Sequence, residues 1–485
     1  MPLPLLLIHG YSATGLDFDP ICKKLRAMGE DPIDLNVGNY ISLNNEITIK
    51  DIAEGMERAI QLTPKLAAVD EFDAIVHSTG MLVVRSWLTN HPAGVGTNTR
   101  LKRLKHLVGL APATWGSPQA HKGRTWLGAL VKGSKTPGPD FLNAGDEVLD
   151  GLELGSRFTW DLAHLDLLGP DPYFGTGADT PYVAVFIGNT PYDGIASVAN
   201  DPGTDGTVRW AGCGLNTRKI TLDLTHLPIG TDGKPTERVT ITPWATDARL
   251  NVPMIAVEGR NHGTLISDPD EEMVGLIADF MKVGSSADYD KWLEGAQKFG
   301  EKGLATMKIG PGNDASGMTE EALKLVGHLL HLAGKPLDGW QQFVVHARDE
   351  RGDPVTDYMI EVYTQVDGNW QKFEQMYTDV HAYTTDPSFR CFLVQLPEGI
   401  CGGEVPLQIH IGASTGTDVM AYQGYGSDEN MTEMRAESDP VVIAIPAGAL
   451  GKDSLFHPFT TTLVEIVLNR EPYPFDSISK IFTWL

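Results

Sequence analysis

Five short apolar runs, each broken by a polar or glycine residue at its end, constrain this chain more than any other feature. They read "LLLIHG", "FDAIVHS", "LKHLVGLAP", "YVAVFIGN" and "VPMIAVEG", and helical patterns such as "FDPICKKLRAMG", "ITIKDIAEGMERAIQL" and "GMLVVRSWLTNH" lie between them. Continuous apolar runs suit strands covered on both faces, and their alternation with helices is the signature of βαβ units in a parallel sheet. In the second helix Ile47, Ile49, Ile52, Met56 and Ile60 fall near one face. "PDEEMVGLIADFMK", with acidic residues in its first turn, closes the unit. Residues 1–284 are therefore expected to form an α/β domain with a mostly parallel central sheet.

Two stretches interrupt the rhythm. Residues 117–180 carry helix-like apolar spacing without a strand, including Trp126, Leu127, Leu130, Leu149, Leu152, Trp160 and Leu162. Such a stripe reads equally as a lid with an acyl-binding underside or as the packed core of a helical cap. Residues 209–250, with "KITLDLTHL" and "ERVTITPW", alternate like a hairpin inserted between sheet strands. Residues 285–337 read as a helical linker, and residues 338–485 alternate with turn residues as a β-sandwich does. A length of 485 residues agrees with two domains.

Charge narrows the partners. With 63 acidic against 38 basic residues the formal charge is -25, which repels nucleic acid and anionic membranes. No apolar run approaches the about 20 residues of an integral membrane span. "MPLPLLLIHGYSATG" lacks the basic residues and small cleavage residues of a signal peptide, so a cytoplasmic location is favoured, with secretion open if the chain is a mature form. Four scattered cysteines make no disulfide framework, although Cys391 and Cys401 are close enough in sequence either to bridge neighbouring strands or to stay free. No metal motif and no cofactor fingerprint is present, and none is expected.

The chemistry concentrates where strands end. Ser78 follows a strand and precedes Thr79-Gly80 and a helix. That context suits an N-cap or a surface turn, and it also suits a nucleophile elbow, with Val76 where G-x-S-x-G has a small residue. Asp205, in "TDGTV", sits after the fourth run, with Asp201 as its competitor. His262, in "NHGTLISDP", follows the last run, in the chain order Ser…Asp…His.

Taken in order, "IHGYSATG", "VHSTGM", "LAPATWGSP", "TDGTV" and "NHGTLISDP" resemble the lipase/esterase branch of the α/β-hydrolase superfamily, and bacterial lipases in particular. The resemblance covers residues 1–284 and implies an α/β-hydrolase fold and carboxylic ester hydrolysis through an acyl-enzyme. It implies Ser78 as nucleophile, His262 as base, Asp205 as acid, and the backbone N–H groups of Tyr11 and Thr79 as oxyanion donors. Trp115, Trp126, Leu127 and Leu130 are the expected substrate contacts, for an ester with an apolar acyl chain. The lid or the β-domain offers a surface for lipid or polymer. A thioesterase, polyesterase or lactonase would use the same residues, and a non-catalytic binding protein of the same fold is the alternative of another class.

Overall fold

The computed structural model describes residues 2–9, 18–35, 46–90, 99–122, 146–169, 172–175, 180–193, 200–227, 239–241, 252, 254–309, 335–402, 405–427, 430–434, 439–447 and 455–472. The chain divides into two compact units, residues 1–217 with 245–308 and residues 218–244 with 309–485.

The first unit is built on β1 (Leu5–Ile8), β2 (Pro32–Leu35), β3 (Phe72–His77), β4 (Leu104–Leu110) and β5 (Tyr182–Gly188). After these come β6 (Thr217–Asp223) and β7 (Val239–Ile241), which join the second unit, and then β8 (Met254–Val257). Six strands form one sheet in the order β2-β1-β3-β4-β5-β8, all parallel. β1, β3 and β5 are buried along their whole length, which is why their sequences do not alternate. Leu5, Leu7, Ile75, Val108, Phe186 and Ile255 share one core with residues of the helices Glu271–Phe280 and Ser286–Met307.

Local signals place the helices. Ile49–Leu62 begins at a capping box, in which the Thr48 hydroxyl accepts from Asp51 N–H and the Asp51 carboxylate accepts from Thr48 N–H. It buries Ile49, Ile52, Ala53, Met56 and Ile60, while Ile47 precedes its first turn. Gly80–Thr89 buries every residue from Gly80 to Leu88, Arg85 included. Arg85 is wholly buried because its guanidinium holds both oxygens of Asp166 at 2.7 and 2.9 Å. Asp166 ends the helix Arg157–Asp166, so this pair fixes one helix against the other. Within the 117–180 stretch, Leu149, Leu152, Leu154, Trp160 and Leu162 are buried, which makes the described part of that stripe packed core.

Two expected boundaries differ from what is observed. Ser286–Met307, expected as linker, belongs to the first unit: Tyr289 Oη donates to Val183 O at 3.0 Å and Trp292 Nε1 donates to Leu276 O at 2.8 Å. The 209–250 stretch, expected to project from the parallel sheet, is divided. Its strand β6 belongs to the second unit from Arg218 onwards, where Ile220, Leu222 and Leu224 enter the core.

That second unit is a β-sandwich. Its strands are β9 (Leu337–Asp349), β10 (Tyr358–Val366), β11 (Asn369–Lys372), β12 (Asp379–Ala382), β13 (Phe389–Pro397), β14 (Leu407–Ala413), β15 (Met420–Tyr425), β16 (Met431–Met434), β17 (Val441–Ile445) and β18 (Thr460–Pro472). One sheet runs β11-β10-β14-β17; the other runs β12-β13-β9-β18-β15-β16, with β6 paired to β18 and β7 to β6. Ile360, Val362, Ile409 and Ile443 from the first sheet meet Phe343, Val345, Phe392 and Ile466 from the second. None of the four cysteines forms a disulfide.

Glu465 of β18 receives Arg348 Nε at 2.9 Å and Lys219 Nζ at 3.0 Å. Burial alone would raise its pKa; the hydrogen bonds and charges of Arg348 and Lys219 outweigh burial and hold it below the usual glutamate range. A depressed folded-state pKa contributes stability that is present above the unfolded value and lost as pH falls through the folded one. We expect Glu465→Gln to lower the stability of the β-unit at pH 7 by on the order of 2 kcal/mol. In urea titrations at several pH values this difference should shrink as pH falls below 4.5. A difference independent of pH would show that the charge contributes nothing.

Candidate active site

Three of the predicted residues lie at strand ends of the parallel sheet or in loops that follow it. Ser78 comes directly after β3 and has φ of 54°, in the left-handed region that side chains other than glycine rarely adopt. Hydrogen bonds hold it there. Its N–H donates to Leu110 O at 3.2 Å, and its carbonyl accepts from Ala113 N–H at 3.0 Å and Met81 N–H at 3.3 Å. Gly80 allows the turn because a Cβ on it would lie 2.7 Å from Ile8 O and 3.3 Å from Val76 Cβ. The missing side chain at Gly80 thus makes room for Val76, which departs from the small residue of the elbow pattern. Ser78 is 5% exposed, at the N-terminus of the helix Gly80–Thr89.

Asp205 and His262 meet through two hydrogen bonds. His262 Nδ1 donates to Asp205 Oδ2 at 3.0 Å, and His262 N–H donates to Asp205 O at 3.0 Å. The other carboxylate oxygen, Oδ1, accepts from the N–H groups of Thr207 (3.0 Å) and Val208 (2.8 Å), so the acid is fully buried with both oxygens hydrogen-bonded. Between them Gly206, at φ of 99°, passes under the Tyr192 ring, 2.5 Å from where a Cβ would stand. Tyr192 Oη pairs with Thr207 Oγ1 at 2.8 Å. Cys213 lies behind this loop; burial and the Asp205 charge push its thiol up and keep it neutral.

A residue outside the predicted set connects the two halves. His77 Nε2 donates to the carbonyl of His262 at 3.0 Å, and the two rings lie 4.6 Å apart at 46°. Burial, then the His262 and His9 imidazoles, push its pKa well below the usual histidine range. Nothing in the pattern "IVHSTG" distinguishes this from a packing histidine, because the partner is a backbone atom 185 positions away.

The remaining predicted residues divide. Thr79 is 2% exposed, beside Ser78. Trp115 is fully buried; its indole N–H donates to Gly214 O at 3.0 Å and the Arg85 guanidinium stands 5.7 Å from its ring. These contacts make it a brace between the loop after β4 and the loop carrying Asp205, not a wall open to a ligand. Ser117 Oγ to Thr207 O (2.6 Å) and Thr114 Oγ1 to Cys213 O (2.6 Å) reinforce the same junction. Tyr11, Trp126, Leu127 and Leu130 lie outside the described residues.

No protein-family model matches the sequence, and no curated protein matches it significantly. The fold is that of the α/β-hydrolases, followed by a β-sandwich. Phospholipase PlaB from Legionella pneumophila superposes with a TM-score of 0.71 at 20% identity, over 100% of this chain and 96% of that one. The same phospholipase in complex with thio-NAD gives 0.70 at 20% identity, over 99% and 96%. Lipase BlEst2 from Bacillus licheniformis, in mature form, gives 0.38 at 12% over 57% and 92%, a distance at which the likeness carries no inference.

The turn at Ser78 yields a structural test. Gly80→Ala places a methyl group against the Ile8 carbonyl, which is backbone and cannot swing aside. A loss of about 1–3 kcal/mol in chemical denaturation is expected. An unchanged midpoint would mean that strand and helix are not held at this distance.

Proposed function

We propose that this protein hydrolyses carboxylic esters with an apolar acyl chain, through an acyl-enzyme on Ser78. The observation that carries the proposal is the doubly hydrogen-bonded Asp205–His262 pair, downstream of a serine held at positive φ between strand and helix. Serine hydrolysis needs a nucleophile held on a fixed turn, a base with one committed tautomer, and donors for an oxyanion.

The roles follow from the contacts. Asp205 binds the Nδ1 hydrogen of His262, which leaves Nε2 with the lone pair. Nε2 takes the Ser78 hydroxyl proton as Oγ attacks the ester carbonyl carbon, and later returns it to the leaving alcohol. The Thr79 N–H and the first turn of Gly80–Thr89 supply positive potential where the oxyanion forms, and Tyr11 N–H is the proposed second donor. Water, deprotonated by the same imidazole, releases the acid.

Among esters we favour lipid esters. The whole-length likeness to a phospholipase supports that class. Among the described residues no helix is long and apolar enough to cross a membrane.

Turnover of p-nitrophenyl esters and of phospholipid vesicles, across acyl lengths, tests both levels. Ser78→Ala is expected to lower kcat on the order of 10⁶-fold and to abolish the acyl burst. Asp205→Asn should cost about 10⁴-fold, since the amide favours the wrong tautomer. Full activity in Ser78→Ala would refute the serine mechanism. A preference for short soluble esters over lipid would refute the substrate class alone.

A further inference from the structure

The proposed nucleophile and base sit after different strands, β3 and β8, and His77 spans them. A carbonyl oxygen only accepts, so the 3.0 Å contact with His262 O requires the hydrogen of His77 to be on Nε2. Its Nδ1 is then the unprotonated nitrogen, buried and without a partner among the described residues. Around the ring stand His262 (4.6 Å), the edge of Phe18 (6.2 Å, 80°) and the imidazole of His9. The Asp205 carboxylate is engaged with His262.

We propose that His77 is a positioning residue for the base: as a neutral Nε2–H imidazole it anchors the His262 main chain and so fixes the direction of His262 Nε2 for the proposed proton exchange with Ser78. The inference rests on the hydrolase reading above and adds a residue that the Ser–His–Asp arrangement does not require. His262 has four polar groups. Asp205 engages the N–H and Nδ1, and His77 engages the carbonyl, so Nε2 is the group left to exchange a proton with Ser78. Asp205 alone restrains one side of the residue, and rotation about that side would swing the ring. The third bond removes this freedom. Neutrality is part of the role, because a second imidazolium 4.6 Å away would oppose the charge that His262 gains during acyl transfer.

Two substitutions in the full-length protein separate positioning from packing. His77→Phe keeps the ring and removes the donor, whereas His77→Gln keeps an amide N–H near the Nε2 position. His77→Phe is expected to lower kcat roughly 10- to 100-fold with little change in KM, as misplacement of a reacting group does. His77→Gln should recover most of the loss, and both should react with one ester equivalent per chain in the burst. Equal losses in the two variants, or full kcat in His77→Phe, would overturn the proposal. A second readout needs no activity: ¹⁵N-histidine NMR of the wild type should show His77 as the neutral Nε2–H tautomer and a protected His262 Nδ1–H. That Nδ1–H should broaden by exchange in His77→Phe and return in His77→Gln. An Nδ1–H tautomer at His77 overturns the proposal even if a variant fails to fold. Absence of Ser78-dependent turnover in the wild type would instead defeat the hydrolase reading, and the NMR arm would still decide the geometry.

Discussion

The left-handed turn at Ser78 is a conformation this segment would not hold by itself. A non-glycine residue in that region costs on the order of 1–3 kcal/mol and persists only where the surroundings over-determine it. Here they do, and the restraint runs along the carboxyl edge of the sheet. Ser78 is tied at both its N–H and its carbonyl to residues 110–113, at the end of β4 and just beyond it. Ala111 in that segment is itself at φ of 44°, and its N–H donates to Phe186 O in β5 at 2.7 Å. Asn189, just beyond β5, donates its N–H to Val257 O in β8 at 3.3 Å. Each strand end is hydrogen-bonded to the next, from the serine to the strand that precedes His262.

This explains why the polar contacts lie where they do. Apolar burial is non-directional and can hold a loop near a sheet without fixing its rotation. The loops carrying Asp205 and His262 are instead held by hydrogen bonds: Oδ1 of Asp205 on two N–H groups, Ser117 on Thr207, Trp115 on Gly214, Tyr192 on Thr207. A carboxylate that accepts from its own turn cannot rotate, and the imidazole bound to its other oxygen inherits that orientation. The proposed mechanism needs this rigidity, because a base serves only if its lone pair is already aimed.

How much of this could be read from the residues depended on range. The parallel sheet was legible because "LLLI" and "YVAVFIG" are apolar on both faces, and only two covered faces allow that. The helix from Ile49 was legible through its period, with its start displaced by the Thr48 cap. The 209–250 hairpin was legible as strands but reads as an insertion on the first domain, since β alternation says nothing about which edge a strand joins; β6 pairs with β18, more than two hundred positions away. Asp205 and His262 stood out by chain order and strand ends. His77 and the Arg85–Asp166 pair did not, because a backbone acceptor and a buried ion pair between distant helices leave no local pattern.

The buried ion pair and the Glu465 centre show one rule at two depths. The chain carries 63 acidic residues and excludes nearly all unpaired charge from its described core, because desolvating an unpaired ion costs several kcal/mol. Where a charge is buried, it joins elements that apolar packing would leave free to slide: Asp166 sets one helix against another by accepting with both oxygens from the planar guanidinium fork of Arg85, and Glu465 joins strands β6, β9 and β18 through two cations. Replacing either pair with apolar residues of equal volume could leave total stability unchanged while releasing the register. In the first unit that loss would reach Ser78 directly, because Arg85 also donates to Thr114 O at 2.8 Å, in the segment whose neighbour Ala113 holds the serine carbonyl.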